Sequence, residues 1–303
     1  MDADATRFSS ARSRRVREWL TFALFVGPNL LLLAVFSYWP LLQNLYLSFT
    51  EWDMLSPEKL WVGLDTWIFV LGGSDFRQIA MNTLVFTVFS VGLTLVFGLA
   101  IAMLLDQRLP GRRLARSVLF VPTLLSGAAI ALVWIFVFDP RWGLLRVLLE
   151  IVGVQSPRWL TDPAWALPAV IIVYVWKNVG YAVVIFLAGL QGIARELYEA
   201  ARVDGAGPWQ RFRAVTLPGL GPISFFLLIT SVLASFQAFD VIRVMTAGGP
   251  VISTTTFIYA LYNEAFVGFH AGNAAVYAVV LFVLMLALTI AQLRYLERRV
   301  TYS

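Results

Sequence analysis

The sequence predicts an all-α membrane protein with six transmembrane helices and both termini in the cytoplasm. The first observation is composition: 59% of the 303 residues are hydrophobic, 14% are charged, and the mean hydropathy is +0.77. Soluble domains are only about 45–50% apolar. The second observation is that apolar residues form six runs of span length. The third is that the arginines are unevenly divided between the connecting segments.

Each predicted span is an apolar run bounded by arginine, proline or a polar loop, and about 20 such residues are needed to cross a bilayer. The stretch 144–154 is only about two to three turns long, so we expect an interfacial or loop helix there. The first run exceeds the roughly 7–15 apolar residues of a signal peptide, so we expect it to be retained. The six predicted spans cover residues 20–40, 83–105, 117–138, 165–190, 222–243 and 274–293.

The orientation follows from the basic residues, because arginines in short loops favour the cytoplasmic side. The two tails and the 107–116 and 191–221 loops together hold 16 of the 23 lysine and arginine residues. The loops on the other side hold five. Both termini are therefore predicted to be cytoplasmic. Residues 1–18 are predicted to form a basic tail and residues 19–303 a single membrane domain.

Several classes of function are disfavoured by the side chains that the sequence lacks. There is no cysteine and one histidine, His270, which is expected in a solvated loop, so no metal site or Ser/His/Asp relay is predicted. The net charge of +5 does not indicate nucleic acid, because the arginines flank apolar segments. The only lysines, Lys59 and Lys177, do not belong to a phosphate-binding P-loop. Active transport by this chain would therefore need an ATPase partner.

The cytoplasmic loop 191–221 is longer than a connector needs, and such loops are usually functional. An amphipathic helix is predicted over Ile193 to Asp204, with alanine-rich residues on one stripe. Gly205 is expected to stop this helix, and Pro208 is expected to start a short second helix that ends by Pro218. Alanine buries little area, so contact with a protein partner is favoured over insertion into lipid.

The same loop carries a spaced motif. Glu199-Ala200-Ala201 is followed by Gly205, Val215 and Leu217-Pro218, and this pattern resembles the signature loop of bacterial ABC importer permeases, which usually have isoleucine where Val215 stands. The resemblance implies a type I ABC importer permease fold, with the loop forming a coupling helix in a cleft of the ATPase. It assigns ATPase coupling to Glu199, Ala200, Ala201, Asp204, Gly205, Leu217 and Pro218.

The resemblance also implies the surroundings of the chain. A non-catalytic permease of this family works in the bacterial inner membrane beside a second homologous permease. A dimer of ATPase subunits binds ATP and Mg, and an external binding protein delivers the substrate. No cofactor is then expected in this chain.

A narrower resemblance concerns the substrate. The stretches FVPTLLSGAAIALVWIFVFDPRWGL, AGGPVISTTTFIYALYNEAF and QLRYLERRVTY are similar to permeases of glycerol-3-phosphate and glycerophosphodiester importers. Oligosaccharide permeases share part of the second stretch, so a sugar remains an alternative substrate. A secondary transporter is a remote alternative, since such proteins usually show inverted repeats and we find no convincing repeat.

An ionisable residue inside a span is a candidate for function. Lys177 is predicted near the middle of the fourth span, where it could bind a polar organic phosphate. Two other readings stand: Lys177 could pair with a carboxylate of the partner permease, or it could face water. The i, i+3 spacing of Asp240 and Arg243 favours an ion pair or a gate element over a direct ligand. The pathway candidates are Lys177, Trp176, Asn178, Tyr181, Gln237, Asp240 and Arg243.

Overall fold

The computed structural model describes residues 3–107 and 110–296, and the surroundings of side chains for residues 17–107 and 110–294. The predicted cytoplasmic residues Arg108, Arg298 and Arg299 lie outside the described residues. Nothing is described for the side chains of Arg7, Arg12, Arg14 and Arg15.

The described chain is almost entirely helical. The helices are α1 (Ala3–Leu33), α2 (Trp39–Leu47), α3 (Asp65–Gly72), α4 (Ser74–Asp106), α5 (Arg112–Leu124), α6 (Gly127–Val137), α7 (Leu144–Ile151), α8 (Pro163–Gly192), α9 (Arg195–Val203), α10 (Pro208–Arg211), α11 (Leu217–Gly219), α12 (Gly221–Phe236), α13 (Asp240–Met245), α14 (Phe257–Phe266) and α15 (Ala271–Leu296). Two π-helical segments are Ala34–Tyr38 and Phe212–Thr216. Strands β1 (Thr50–Glu51) and β2 (Leu60–Trp61) pair antiparallel.

Within residues 3–107 and 110–296, five helical stretches are long and apolar enough to cross a membrane, and there are six if the bent pair α5 and α6 counts as one span. The predicted second, fourth and sixth spans correspond to α4, α8 and α15; α4 begins nine residues before its hydrophobic run, and the other two helices are a few residues longer than theirs. The first span continues to Leu47 rather than ending at residue 40. Its helix begins at Ala3, so the predicted basic tail is continuous with the span in the part that the structure describes. The short helix expected within 144–154 is α7.

The third predicted span is not one straight helix, and this corrects the expectation for residues 117–138. Helices α5 and α6 meet at an angle of 105°. Pro122 lacks a backbone N–H, and its ring crowds the preceding turn. Leu125 and Ser126 then adopt extended ψ angles of 151° and 133° before Gly127 restarts the helix. Neither helix alone reaches the length of about 20 residues that a bilayer requires.

The fifth predicted span is also interrupted, because α12 ends at Phe236 and α13 begins at Asp240. A second correction concerns the cytoplasmic loop. Pro218 does not end the helical path there, since the π-helical segment runs into α11 and Pro218 lies in the first turn of α11. The π-helical segment ends just before Pro218, as expected where a proline removes an N–H from a helical path.

Helices α4 and α8 make the most extensive helix contact in the described chain. A Cβ at Gly98 would lie 2.7 Å from the Cβ of Ala182, so the backbones approach closely only because Gly98 has no side chain. Ala102 is fully buried one turn later. Small residues at such positions let two membrane helices approach closely. The same holds at Gly127, where a Cβ would lie 2.9 Å from the Cβ of Asp240.

The apolar core lies between these helices in three clusters. The first joins α6, α8 and α13, the second joins α4, α12, α14 and α15, and the third joins α4, α8 and α12. The first span contributes little, since its apolar window is 0% buried and its α2 part packs on α15. Every cluster includes α4 or α8, so these two helices form the scaffold on which the interrupted spans are held.

The loop before α14 is fastened to α4 by polar side chains. The Asn82 amide donates to the carbonyl oxygens of Ile252, at 2.7 Å, and of Thr255, at 3.0 Å. The Thr83 hydroxyl accepts from the Phe257 N–H at 3.1 Å. These bonds satisfy backbone groups that would otherwise be costly to bury.

Candidate functional site

The two interrupted spans meet α8 around a cavity of about 240 Å³, which we call the central cavity. Lys177 and Asn178 of α8 line it, together with Gln237 and Asp240 from the break in the fifth span. Gly127, the first residue of α6, completes this part of the wall. The wall of the cavity therefore comes from three segments far apart in sequence.

This position explains why the spans are broken. Irregular backbone inside a bilayer is tolerated where it is buried in protein or lines a cavity. Both breaks, at Leu125–Ser126 and at Gln237–Phe239, end at residues of the central cavity wall. Discontinuous helices are a common way to build a binding site at the membrane midplane.

Lys177 lies close to the midpoint of α8, about 21 Å from its first residue and about 23 Å from its last at 1.5 Å per residue. Its carbonyl oxygen accepts a hydrogen bond of 3.1 Å from Thr123 of α5, which ties α8 to the helix before the bend. Among the described residues, Lys177 has no ion-pair partner within 4.0 Å. The ammonium group is therefore available to a ligand in the cavity or to a second subunit.

A second cavity, of about 250 Å³, adjoins the first one turn nearer to the end of α8 that leads into α9. We call it the hydroxyl cavity. It shares Tyr174, Asn178 and Ala234 with the central cavity. Its other polar wall residues are Ser90, Thr94, Tyr181, Thr230 and Ser231.

The predicted pathway residues divide into two groups. Lys177, Asn178, Gln237 and Asp240 come together in the central cavity, and Tyr181 lies in the hydroxyl cavity. Trp176 lines neither cavity: its ring is 42% exposed and lies edge-on to Trp134, 5.5 Å away. Arg243 also lines neither cavity.

The expected ion pair between Asp240 and Arg243 is not formed, since the structure has no such contact within 4.0 Å between these two described residues. Asp240 begins α13, with its Cβ beside Gly127 in the cavity wall. The Arg243 guanidinium instead lies over the Tyr262 ring, 5.4 Å from the centroid. Arg243 therefore contacts Tyr262 of α14 instead of pairing with Asp240, which lies three residues earlier on its own helix.

The sequence reasoning missed the hydroxyl residues of α4 and α12. A signal was present on α4, where buried polar residues recur every three to four positions on one helix face. Uncharged polar side chains lower the hydropathy of an apolar run only slightly, so hydropathy does not separate them from the rest of the span. The buried polar residues of this face are Asn82, Thr83, Thr87, Ser90 and Thr94.

At the end of α8, the loop predicted to couple to a partner forms α9 and its cap. Gly205 has φ +77° and its N–H donates to the carbonyl of Arg202, while the N–H of Ala206 donates to Ala201. This pair of bonds is a Schellman motif, which needs a left-handed residue after the helix. The glycine stop at Gly205 and the helix start at Pro208 are confirmed.

Helix α9 is anchored on one side only. The hydroxyls of Tyr198 and Thr216 are 3.0 Å apart, and Ala201 is half-buried. Leu197 is 55% exposed and Ala200 is also exposed, so this part of the predicted stripe faces outward. Val203, at 87% exposed, and Trp209, at 70%, extend this outward apolar surface. Leu217 and Pro218 are exposed as well.

A cavity of about 460 Å³ separates α9 from the end of α4. Glu199 lines it together with Arg195 and Arg202 of α9 and Asp106 of α4. Asp204 lies outside the cavity as the C-terminal cap residue of α9. Glu199 therefore lies at the junction between the loop and a membrane-spanning helix.

At the opposite end of the molecule, a cavity of about 500 Å³ is lined by several acidic side chains, including Glu51, Asp53 and Glu264. His270 precedes α15, and its Nδ1 lies 3.0 Å from Oε2 of Glu264. Hydrogen bonds from the Ser56 N–H, the Ser56 hydroxyl and the Leu55 N–H lower the pKa of Asp53. Among the described residues, no group of three or more His, Cys, Asp or Glu side chains is placed to hold a metal.

Comparison with known proteins identifies the family of the chain. The family described as "Binding-protein-dependent transport system inner membrane component" matches residues 94–302. The sn-glycerol-3-phosphate transport system permease protein UgpA of Yersinia pestis bv. Antiqua is 37% identical over 286 residues, covering 94% of this chain and 96% of that protein. The protein of the same name from Escherichia coli (strain UTI89 / UPEC) is 36% identical over 296 residues, covering 97% and 100%.

The fold is similar to solved transporters. A chain of a bacterial ABC transporter involved in the import of the acidic polysaccharide alginate matches with a TM-score of 0.81 at 22% identity, covering 97% of this chain and 100% of that one. A chain of the MetNI methionine ABC transporter, in an inward-facing conformation, matches with a TM-score of 0.53 over 78% and 99%. Together with the interrupted spans and the capped loop, these matches show that the chain belongs to the family of inner membrane components of binding-protein-dependent transport systems and is an ABC importer permease.

Proposed function

We propose that the chain forms one half of the pathway by which an ATP-driven importer carries glycerol-3-phosphate or glycerophosphodiesters across the inner membrane. A second homologous permease supplies the other half, a dimer of ATPase subunits binds ATP and Mg, and an external binding protein delivers the substrate. The names of the curated relatives support this substrate class. The observation that carries the proposal is Lys177 in the central cavity, at the middle of α8.

The central cavity suits one end of such a substrate. A lysine ammonium binds phosphate through charge-assisted hydrogen bonds, which are roughly twice as strong as neutral ones. Asp240 carries a carboxylate into the same cavity and repels a phosphate. We therefore place the phosphate against Lys177, with Asn178 as a neighbouring amide donor, and the rest of the substrate away from Asp240.

Replacing Lys177 by alanine is expected to weaken transport of phosphate-bearing substrates while the complex still assembles. Loss of one hydrogen bond to a charged group corresponds to roughly a tenfold to hundredfold effect. The measurement is uptake of radiolabelled glycerol-3-phosphate into proteoliposomes that hold the complete importer. Lys177→Arg keeps the charge and should retain most of the activity. Trp176→Ala serves as the matched control, because Trp176 is the neighbouring residue and lies outside the cavity.

Unchanged uptake by Lys177→Ala would show that this side chain has no role in transport. Faster uptake of an oligosaccharide than of glycerol-3-phosphate by the native importer would point to a sugar substrate.

We also propose that α9 and both termini face the cytoplasm. The basic residues support this orientation, since Arg112, Arg113 and Arg116 of α5 and Arg195 and Arg202 of α9 cluster at the same end. The native chain has no cysteine, so a single introduced cysteine reports its own side of the membrane.

Labelling with a membrane-impermeant thiol reagent is expected to separate two positions. Leu55, which is 80% exposed in the loop between β1 and β2, is replaced by cysteine and should react from the external side. Arg113→Cys, at an exposed position in the first turn of α5, should react only in inside-out vesicles. Reaction of both cysteines from one side, or the reverse pattern, would contradict the proposed orientation.

A further inference from the structure

The hydroxyl cavity contains two buried side chains whose hydrogen-bonding capacity is unused. Ser90 is 0% exposed and Thr94 is 4% exposed, and neither hydroxyl oxygen has a hydrogen-bond partner. Leaving such a group unsatisfied costs about 1–3 kcal/mol. Buried polar groups are nearly always bonded, so both exceptions need an explanation.

Other hydroxyls in these helices behave differently. A threonine in a helix commonly bonds the carbonyl oxygen four residues earlier. Thr83 does so to Ile79 at 2.8 Å, and Thr230 does so to Phe226 at 2.9 Å. On the same face of α4, Thr87 accepts a hydrogen bond from Ser235 at 3.1 Å. Ser90 and Thr94 follow on this face, and the protein supplies them with neither kind of partner.

The unbonded hydroxyls coincide with the cavity. The polar face of α4 is covered by the loop before α14 at Asn82, and the face is packed on α8 at Gly98. Between these two contacts, Ser90 and Thr94 line the hydroxyl cavity. Serine and threonine hydroxyls have three staggered rotamers, and we expect one of them to turn each hydroxyl toward a molecule in that space.

The chemistry of the wall indicates what the cavity binds. All nine residues that line it, each within the described part of the chain, are uncharged, and four more hydroxyl groups come from Tyr174, Tyr181, Thr230 and Ser231. Such a wall suits an uncharged group that both donates and accepts hydrogen bonds. It adjoins the central cavity, where Lys177 is available to an anion.

We propose that Ser90 and Thr94 bind the hydroxylated, uncharged part of the transported molecule, while its phosphate lies against Lys177. The inference rests on the proposed function, because it assigns the two ends of glycerol-3-phosphate to adjoining cavities. The glycerol hydroxyls then supply the partners that the two side chains lack. Occupation of the cavity satisfies these groups only when a polyol is present, so they contribute to specificity.

The test measures binding of radiolabelled glycerol-3-phosphate to the purified complex of both permeases and the ATPase subunits, without the external binding protein. Inorganic phosphate is the competing probe for the charged end alone. The combined variant Ser90→Ala with Thr94→Val keeps nearly the same volume and removes both hydroxyls. We expect the Kd of this variant for glycerol-3-phosphate to rise about tenfold, because two neutral hydrogen bonds are lost. The Kd for inorganic phosphate, measured by competition, should change by less than about twofold.

Thr289→Val is the matched control, because the Thr289 hydroxyl is bonded to Met285 at 2.8 Å on α15, outside the cavity. It should bind as the native protein does. Lys177→Ala should weaken both probes. If the combined variant binds like the native complex and has a higher thermal stability, the two hydroxyls are only unsatisfied packing groups and the inference is wrong. If the native complex binds sugar but not glycerol-3-phosphate, the proposed function itself is wrong. That result differs from the one that contradicts only the role of the two hydroxyls.

Discussion

Replacing Glu199 by alanine is expected to abolish coupled transport while the external binding protein still docks. Glu199 lines the cavity between α9 and the end of α4, so it lies between the proposed ATPase contact and a helix that spans the membrane. Truncating one partner of a charge pair at an interface costs about 2–5 kcal/mol. We therefore expect uptake to fall by roughly thirtyfold or more.

The surroundings of α9 explain why the effect should be large. The Schellman cap at Gly205 and the contact of Tyr198 with Thr216 fix the helix as one rigid element. Its outward surface, formed by Leu197, Ala200 and Val203, is apolar and exposed. We expect this exposed apolar surface to contact the proposed ATPase partner. We therefore expect α9, anchored through Tyr198 and Thr216, to move as one rigid element when the proposed ATPase partner moves.

The measurement compares uptake with ATP hydrolysis in proteoliposomes, with and without the loaded binding protein. For Glu199→Ala, hydrolysis should lose its stimulation, or the ATPase subunits should dissociate on size-exclusion chromatography. Glu196→Ala is the matched control, since Glu196 is exposed in the first turn of the same helix and lies outside the cavity. Normal transport by an assembled Glu199→Ala complex would show that this carboxylate is not needed for coupling.

The spans that the sequence located well are those whose helices are straight. The apolar runs at 165–190 and 274–293 correspond closely to Pro163–Gly192 and Ala271–Leu296. Hydropathy is a sum over a window, so it detects the number of apolar residues and not the direction of the backbone. For that reason the 105° bend between α5 and α6 was missed, although Pro122 and the Ser126-Gly127 step are the local signals of a break.

The central cavity was predictable in part for a similar reason. A lysine inside a span is unusual enough to stand out, and Lys177 does lie in a cavity. The partners that surround it come from the breaks in two other spans, and those breaks depend on tertiary packing. Gly127 against Asp240 is one example, and Arg243 over Tyr262 is another. Neither contact follows from the spacing within one helix.

Replacing Gly180 by alanine is expected to disrupt the membrane domain more than any comparable change elsewhere in α8. A Cβ at this position would overlap the Leu119 carbonyl oxygen, and it would lie 2.7 Å from the Leu119 carbonyl carbon and 3.1 Å from the Phe120 Cα. These are backbone atoms, so no change of rotamer relieves the overlap. Helices α5 and α8 must separate, at a cost of about 3 kcal/mol or more.

The same separation reaches the central cavity. Thr123, one turn after Leu119, donates to the Lys177 carbonyl oxygen, and this bond would lengthen or break. The bend after Leu124 then loses its support on α8, and Gly127 moves away from Asp240. We therefore expect Gly180→Ala to reduce both the thermal stability of the complex and its uptake rate.

The control for the Gly180 prediction is Gly92→Ala in α4, because nothing lies within 4 Å of a Cβ there. Alanine in a helix interior is more favourable than glycine by roughly 0.5–1 kcal/mol, so this variant should be neutral or stabilised. Thermal unfolding of the detergent-solubilised complex, followed by the loss of its size-exclusion peak, compares the two variants directly. A native melting temperature for Gly180→Ala would mean that α5 and α8 do not pack as closely as the structure indicates, and the support proposed for the central cavity would then be wrong as well.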